Sequence, residues 1–261
     1  TQNFSSPNIV TGVEIVRVDT TTGLNVNWFD TTTPAASIQL LGNDGNDTLG
    51  GSNAADTITG NLGADSIHGF NGNDVINGGD GADILRGGKG NDSIDGGTGN
   101  DYLVGGRGDD TLTSGAGTDS VLAGPGSDTI DITASDTATL YFNASNGTDS
   151  VTGFTHGTDK ITLVSYDDNG KVDFTVDQLK AKILATADLQ TAITAALATQ
   201  AASGNDRTLT LLSGTSVTFS GVGTDLTAGD FNGYVAKDKA VAVSAAGTTD
   251  ASSDNVTFTV A

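Results

Sequence analysis

The chain has 261 residues, a formal net charge of −21, no cysteine, no methionine and one tryptophan. Thirty-one of its 32 acidic residues are aspartate, Glu14 being the exception, and 37 positions are glycine. These counts exclude a basic nucleic-acid-binding face, disulfides, thiolate metal centres and any apolar run long enough for a transmembrane helix. Acidic chains with few aromatics bury too little apolar surface to fold easily. Disorder, however, draws on Glu and Asp alike, so the bias to Asp requires a positional cause.

Residues 1–41 alternate as strands do. Val13, Ile15 and Arg17 stand against Glu14, Val16 and Val18, and Leu24, Val26, Trp28, Ile38 and Leu40 follow. They lack Gly/Asp turns, which predicts metal-free coils stacked on the first end of what comes next. With no initiator Met and no apolar leader, Thr1 reads as a processed or cut end within a longer β-helix.

Residues 42–131 carry a period of nine. The aspartates are Asp47, Asp56, Asp65, Asp74, Asp83, Asp92, Asp101, Asp110, Asp119 and Asp128. Two residues after each stands an aliphatic: Leu49, Ile58, Ile67, Ile76, Leu85, Ile94, Leu103, Leu112, Val121 or Ile130. Two residues before stands Gly45, Gly63, Gly72, Gly81, Gly90, Gly99, Gly108, Gly117 or Gly126, with Ala54 the one exception. The fullest copies, GGDGADILR (78–86), GGKGNDSID (87–95), GGTGNDYLV (96–104) and GGRGDDTLT (105–113), add a further glycine at Gly79, Gly88, Gly97 and Gly106. Ser114 and Ala123 replace the first glycine of the last two copies, and Pro125 enters the final turn. Metal sites near both ends are therefore expected to be weaker than those at 78–113.

The pattern is the G-G-x-G-x-D-x-U-x nonapeptide. Over these 90 residues the chain resembles the RTX family of calcium-binding, type I-secreted proteins, which implies an all-β, right-handed parallel β-roll with calcium-binding turns. The residues give the same reading independently. Glycines suit a tight turn with positive φ and carbonyls free to face a ligand. The x-U-x piece reads as a three-residue strand with its aliphatic inward. Two copies then make an 18-residue coil. Asp47, Asp65, Asp83, Asp101 and Asp119 line one edge, and Asp56, Asp74, Asp92, Asp110 and Asp128 line the other. Stacked carboxylates repel unless a cation separates them. Ca²⁺, a hard ion that takes six to eight oxygens in irregular geometry, suits carboxylates and glycine carbonyls. Mg²⁺ demands a tighter octahedron, and Zn²⁺ would want His or Cys. Four gaps per edge set an upper expectation of about eight ions. A Gly/Asp linker would not keep both spacing and aliphatic invariant.

The segment GTDSVTGFTHGTDKITL (147–163) resembles the stretch that closes the roll in RTX exoproteins, with Phe154, Gly157, Asp159, Ile161 and Leu163 in matching places. That resemblance implies a cap on an open sheet edge. Residues 176–202 are Ala-rich, with Leu179, Ile183, Leu189, Ile193 and Leu197 at helical spacing and Gly204 as a stop, which predicts a short packing helix. Strands are expected at 207–212, 216–219 and 256–260. LTAGDF (226–231) and the ending Val256, Phe258, Val260 resemble the C-terminal region of type I secretion substrates. The chain thus divides into coils at 1–41, the calcium roll at 42–131, and a cap, helix and secretion region at 132–261.

No catalytic constellation competes with this reading. His68 and His156 are 88 residues apart, and neither HExxH nor G-x-S-x-G occurs. Paired carboxylates of the glycosidase kind would not recur at a strict period. Arg86, Lys89 and Arg107 moderate surface charge. The expected function is therefore not enzymatic. The chain resembles surface-layer proteins in lacking Cys and Met, carrying 39 Thr and showing no enzyme motif. That implies the C-terminal RTX part of a secreted, extracellular cell-surface lattice protein. Its partners would be the type I secretion machinery and copies of itself, bridged in part through Asp95, Asp109 and Asp131, with no nucleic acid. The alternative is the RTX folding and secretion domain of an exoenzyme, protease or lipase, or of an adhesin.

Overall fold

The computed structural model describes residues 2–5, 14–17, 24–27, 37–134, 136–142, 147–163, 193, 197–198, 200–210 and 216–231. Its strands in chain order are β1 (Gln2–Ser5), β2 (Glu14–Arg17), β3 (Leu24–Asn27), β4 (Ile38–Leu41), β5 (Thr48–Gly50), β6 (Thr57–Leu62), β7 (Ser66–Asn71), β8 (Val75–Asp80), β9 (Ile84–Lys89) and β10 (Ser93–Thr98). There follow β11 (Tyr102–Arg107), β12 (Thr111–Thr113), β13 (Thr118–Leu122), β14 (Thr129–Asp131), β15 (Thr137–Phe142), β16 (Thr148–Thr152), β17 (Lys160–Leu163), β18 (Ala201–Ser203), β19 (Asp206–Thr210) and β20 (Ser216–Ser220).

Successive strands alternate between two sheets, as an 18-residue coil demands. The odd strands β1 to β17 form one sheet in chain order. The even strands β2 to β16 form the other, which β20, β19 and β18 complete. Within the repeats every pairing is parallel and steps by 18 residues, with Leu85 on Leu103 and Ile76 on Ile94. The protein is thus an all-β parallel β-roll, and β3 and β4 place the first strands on it by pairing with β5 and β6.

The core is two facing ladders of single aliphatics. Leu49, Ile58, Ile67, Ile76, Leu85, Ile94, Leu103, Leu112, Val121 and Ile130 are each at most 1% exposed. The neighbouring strand positions point outward. On the even sheet these are exposed Thr57, Val75, Ser93, Thr111 and Thr129. The outer face of the odd sheet instead buries Tyr102, Val104, Leu122 and Tyr141.

Three expectations change. The central strands β6 to β11 are six residues long, not three, because the ladder continues through the glycine pair, as at Gly79 on Gly97. Only a three-residue turn such as 81–83 then separates β8 from β9. Pairing between coils keeps these glycines in the ladder; local propensity does not. Second, 147–163 adds two more coil strands, β16 on β14 and β17 on β15, and β17 is the last strand of the odd sheet. The even edge is closed instead by antiparallel β19 on β20, and Phe231 bridges to Ile161 on the odd sheet. Third, the predicted helix over 176–202 falls mostly outside the described residues. Ile193, Leu197 and Ala198 are helical and Ile193 is buried in the core. Ala201 and Ala202, however, belong to β18, and Gly204 turns the β18–β19 hairpin. The strand expected at 256–260 lies outside the described residues.

Candidate metal ladder

Nine of the ten repeat aspartates sit at the end of a turn, immediately before a strand, and Asp119 is the second residue of β13. All ten are buried, at 1–2% exposure. One carboxylate oxygen is used to stack the coils. Along one edge, the N–H of Asp47 donates to Asp65 Oδ1 (2.7 Å), Asp65 to Asp83 (2.7 Å), Asp83 to Asp101 (2.8 Å) and Asp101 to Asp119 (3.0 Å). Along the other, Asp56 donates to Asp74, Asp74 to Asp92, Asp92 to Asp110 and Asp110 to Asp128, all at 2.8 Å. The two predicted edges therefore exist, and the predicted aspartates stack on them 18 residues apart.

The second oxygen divides the ladder. In the first two copies it is satisfied locally: Asn43 N–H donates to Asp47 Oδ2 (2.7 Å) and Ser52 N–H to Asp56 Oδ2 (2.5 Å). From the third copy the corresponding residue takes positive φ, at Asn61 (83°), Phe70 (82°), Gly79 (109°), Gly88 (123°), Gly97 (95°) and Gly106 (121°). The Oδ2 atoms of Asp65, Asp74, Asp83, Asp92, Asp101, Asp110 and Asp128 are then buried with no hydrogen-bond partner. A buried, unsatisfied carboxylate oxygen is strongly unfavourable.

The same oxygens face main-chain carbonyls. A methyl on Gly60 would collide with Asp65 Oδ2 and Gly78 O. One on Gly69 would meet Asp74 Oδ2 and Gly87 O, and one on Gly87 would meet Asp92 Oδ2 and Gly105 O. The first glycine of a copy, whose role the sequence left unspecified, thus leaves room for oxygens. Ser114 and Ala123 replace it in the two copies whose next coil lies outside the repeat. The glycine two before the aspartate has a different task. Gly63, Gly72, Gly81, Gly90, Gly99, Gly108, Gly117 and Gly126 have φ between 122° and 157°. A methyl on Gly81 would strike Gly63 O of the preceding coil. Gly45 is absent from this positive-φ set, contrary to expectation. Its N–H is held by Asn43 Oδ1 (2.8 Å) in the first, locally satisfied turn.

Burial pushes the carboxyls of Asp65, Asp74, Asp92, Asp101 and Asp128 up to about 7 and that of Asp110 to about 8. Neighbouring carboxylates add to the shift, Asp83 and Asp47 on Asp65 and Asp128 and Asp92 on Asp110. Burial also raises Asp56 and Asp83.

Among the described residues no three acidic or histidine side chains converge on one point. The donors available in each gap are carboxylate and carbonyl oxygens, a hard set that suits Ca²⁺. Sequence reasoning missed two further rungs. Asp128 N–H donates to Asp149 Oδ1 (3.1 Å), and Ala138 N–H donates to Asp159 Oδ1 (2.8 Å). Their signal is G-x-D-x-U at 147–151 and 157–161, displaced from the period of nine. A second ladder runs along the turn tips. Asn73 Oδ1 accepts from Asn91 N–H (3.0 Å), and Asn91 Oδ1 from Asp109 N–H (3.0 Å).

The histidines stay apart. His68 stacks on Phe70 at 4.0 Å between ring centroids. His156 Nδ1 lies 3.0 Å from Asp230 Oδ2, and its Nε2 lies 3.1 Å from Thr224 Oγ1, fastening LTAGDF to the 153–157 turn. Burial would raise the Asp230 carboxyl, but hydrogen bonds from Thr227 and His156 outweigh it and hold the group below its ordinary value. Asp95 and Asp109 are exposed, whereas Asp131 is half-buried and accepts from Thr133 N–H (2.9 Å). No helix among the described residues is long and apolar enough to cross a membrane.

No curated protein matches the chain. A solved structure, the extracellular lipase LipA from Serratia marcescens, is similar at 17% identity and a TM-score of 0.30, over 77% of this chain and 41% of that one. The chain therefore spans about two fifths of that protein's length. The family model for the RTX calcium-binding nonapeptide repeat matches residues 41–76, 68–103 and 95–130. Residues 41–130 of this all-β roll are RTX calcium-binding nonapeptide repeats.

Proposed function

We propose that the chain is the RTX part of an extracellular surface-layer protein, one that folds on Ca²⁺ and assembles with copies of itself into a lattice. The observation that carries the calcium step is the row of buried Oδ2 atoms with no hydrogen-bond partner. Ca²⁺ between coils would neutralise them, with Asp65, Asp74, Asp83, Asp92, Asp101, Asp110, Asp119 and Asp128 as carboxylate ligands. Asp47 and Asp56, already satisfied by Asn43 and Ser52, would contribute least. Carbonyls of the turn glycines, including Gly63, Gly72, Gly79, Gly81, Gly88, Gly90, Gly97, Gly99, Gly106, Gly108, Gly117 and Gly126, complete the oxygen shell. In the metal-free chain these carboxylates repel one another, so metal binding and folding are one step.

This coupling suits passage through the type I secretion machinery. Extracellular-type sites bind at about 10⁻⁴–10⁻³ M, so the repeat leaves the calcium-poor cytosol as a chain and folds outside. The lattice reading is supported by the Thr-rich composition, the absence of an enzyme motif and the exposed hydroxyl row Thr57, Ser93, Thr111 and Thr129 beside Asp95. The test is electron microscopy of purified protein with and without millimolar Ca²⁺. Ordered two-dimensional arrays that dissolve in chelator are expected, and calcium-folded monomers alone would overturn the lattice.

A further inference from the structure

We propose that Asp128 and Asp149 hold one more calcium ion, beyond the nonapeptide block, which ties the roll to its C-terminal coils. This rests on the reading of the repeat gaps as calcium sites and extends it to a gap no repeat predicts. The step from Asp128 to Asp149 is 21 residues, not 18, and the segment lies past the last matched repeat residue.

The gap nevertheless reproduces the contacts of a repeat gap. In the repeat, Asp92 N–H donates to Asp110 Oδ1 and Asp92 O accepts from Thr111 N–H, each at 2.8 Å. Here Asp128 N–H donates to Asp149 Oδ1 (3.1 Å) and Asp128 O accepts from Ser150 N–H (2.8 Å). Strand register agrees, with Thr129 on Ser150 and Ile130 on Val151. The three extra residues are absorbed between β14 and β16, so the gap itself is undistorted. Close coil contact is kept as well. Gly147 N–H donates to Gly126 O (2.7 Å), and a methyl on Gly147 would collide with that oxygen as one on Gly81 would with Gly63 O.

The gap brings together two buried carboxylates. Asp128 and Asp149 are both 1% exposed, and Asp128 Oδ2 is buried without a hydrogen-bond partner. Two carboxylates and nearby carbonyls, with water completing the shell, form the hard-oxygen set that Ca²⁺ takes.

The opposite edge is the internal contrast. There Ala138 pairs with Asp119 in the ladder, so a carboxylate is missing from the corresponding rung. The next one, Asp159, has its Oδ2 satisfied by Thr155 N–H (2.6 Å). The cation ladder therefore ends on the odd edge at Asp119 and continues one gap further on the even edge. That gap lies beneath β16, which pairs with β20 and so with the closing hairpin.

The experiment is a crystal structure of the full chain grown in millimolar Ca²⁺ and soaked with Tb³⁺, with anomalous maps for wild type and Asp149→Asn. The expected result is a wild-type peak between the Asp128 and Asp149 carboxylates that Asp149→Asn removes while the repeat-gap peaks remain. Peaks in the repeat gaps alone, or a peak that survives Asp149→Asn undiminished, overturn this site and leave the repeat reading standing. An absence of peaks throughout overturns both. If the variant does not crystallise, the wild-type map decides.

Discussion

The main-chain N–H of Asp92 donates to Oδ1 of Asp110, one coil further on, at 2.8 Å. Asp110 thus holds the preceding coil in register with one oxygen, while its other oxygen is buried without a hydrogen-bond partner. On the proposed calcium reading, register and ligation share one side chain, so removal of the ion would also weaken the stacking of the coils.

Substitution of one such aspartate should act on both roles. Asp83→Ala removes a carboxylate from its gap and leaves the Asp65 N–H without its acceptor. A buried donor so orphaned costs about 1–3 kcal/mol. The calcium midpoint followed by far-UV circular dichroism should rise several-fold. Asp95→Asn, on the exposed outer face, should leave the midpoint unchanged. Equal midpoints for Asp83→Ala and wild type would contradict the ligand role.

Protons should partly substitute for calcium. Asp65, Asp74, Asp92, Asp101, Asp110 and Asp128 have folded values of about 7 to 8 against an ordinary 3.8. A group raised on folding stabilises the fold fully below its unfolded value, and that contribution is lost as pH rises through its folded value. In chelator, β signal should therefore be strongest near pH 4 and fall away between about pH 6 and 8. The calcium midpoint should be lower at pH 8 than at pH 6, because fewer protons must be displaced. A pH-independent midpoint would speak against buried carboxylate ligands.

Glycines with positive φ should differ in cost according to what they touch. Gly99 has φ 136°, and a methyl there would strike Gly81 O of the preceding coil. Gly157 has φ 80° and nothing within 4 Å of such a methyl. Gly157→Ala should cost about 1–2 kcal/mol, the penalty for an L-residue in the left-handed region. Gly99→Ala should cost clearly more and reduce the cooperativity of calcium-induced folding. Denaturant melts in saturating calcium measure both.

Truncation in the aliphatic ladder should be severe because each coil contributes so little core. Leu103 is fully buried, and Leu103→Ala should cost about 2–5 kcal/mol. Val75 is 50% exposed on the outer face, and Val75→Ala should stay within about 0.5 kcal/mol. The same melts check this pair.

The two carboxylate edges and the inward aliphatics were legible because one period encodes both: Asp65 and Ile67 recur as Asp83 and Leu85. Other features depend on contacts between coils, which no single copy displays. Strands extend through Gly79 and Gly88 because neighbouring coils supply ladder partners. Asn61 and Phe70 take positive φ without being glycine because the stacked copies impose the turn on them. Asp149 escaped because its loop breaks the count by three residues while the register survives. Ala201 and Ala202 continue an Ala-rich helical pattern, yet pairing with Thr208 and Arg207 draws them into β18.

The most direct measurement is far-UV circular dichroism of the chain at pH 8, first in chelator and then through a Ca²⁺ titration into the millimolar range. Buried Oδ2 atoms without hydrogen-bond partners predict a coil spectrum in chelator and a cooperative gain of β signal as calcium is added, reversed when chelator returns. The same β signal in chelator as in calcium would show that the carboxylate ladder folds without a cation, contradicting the account.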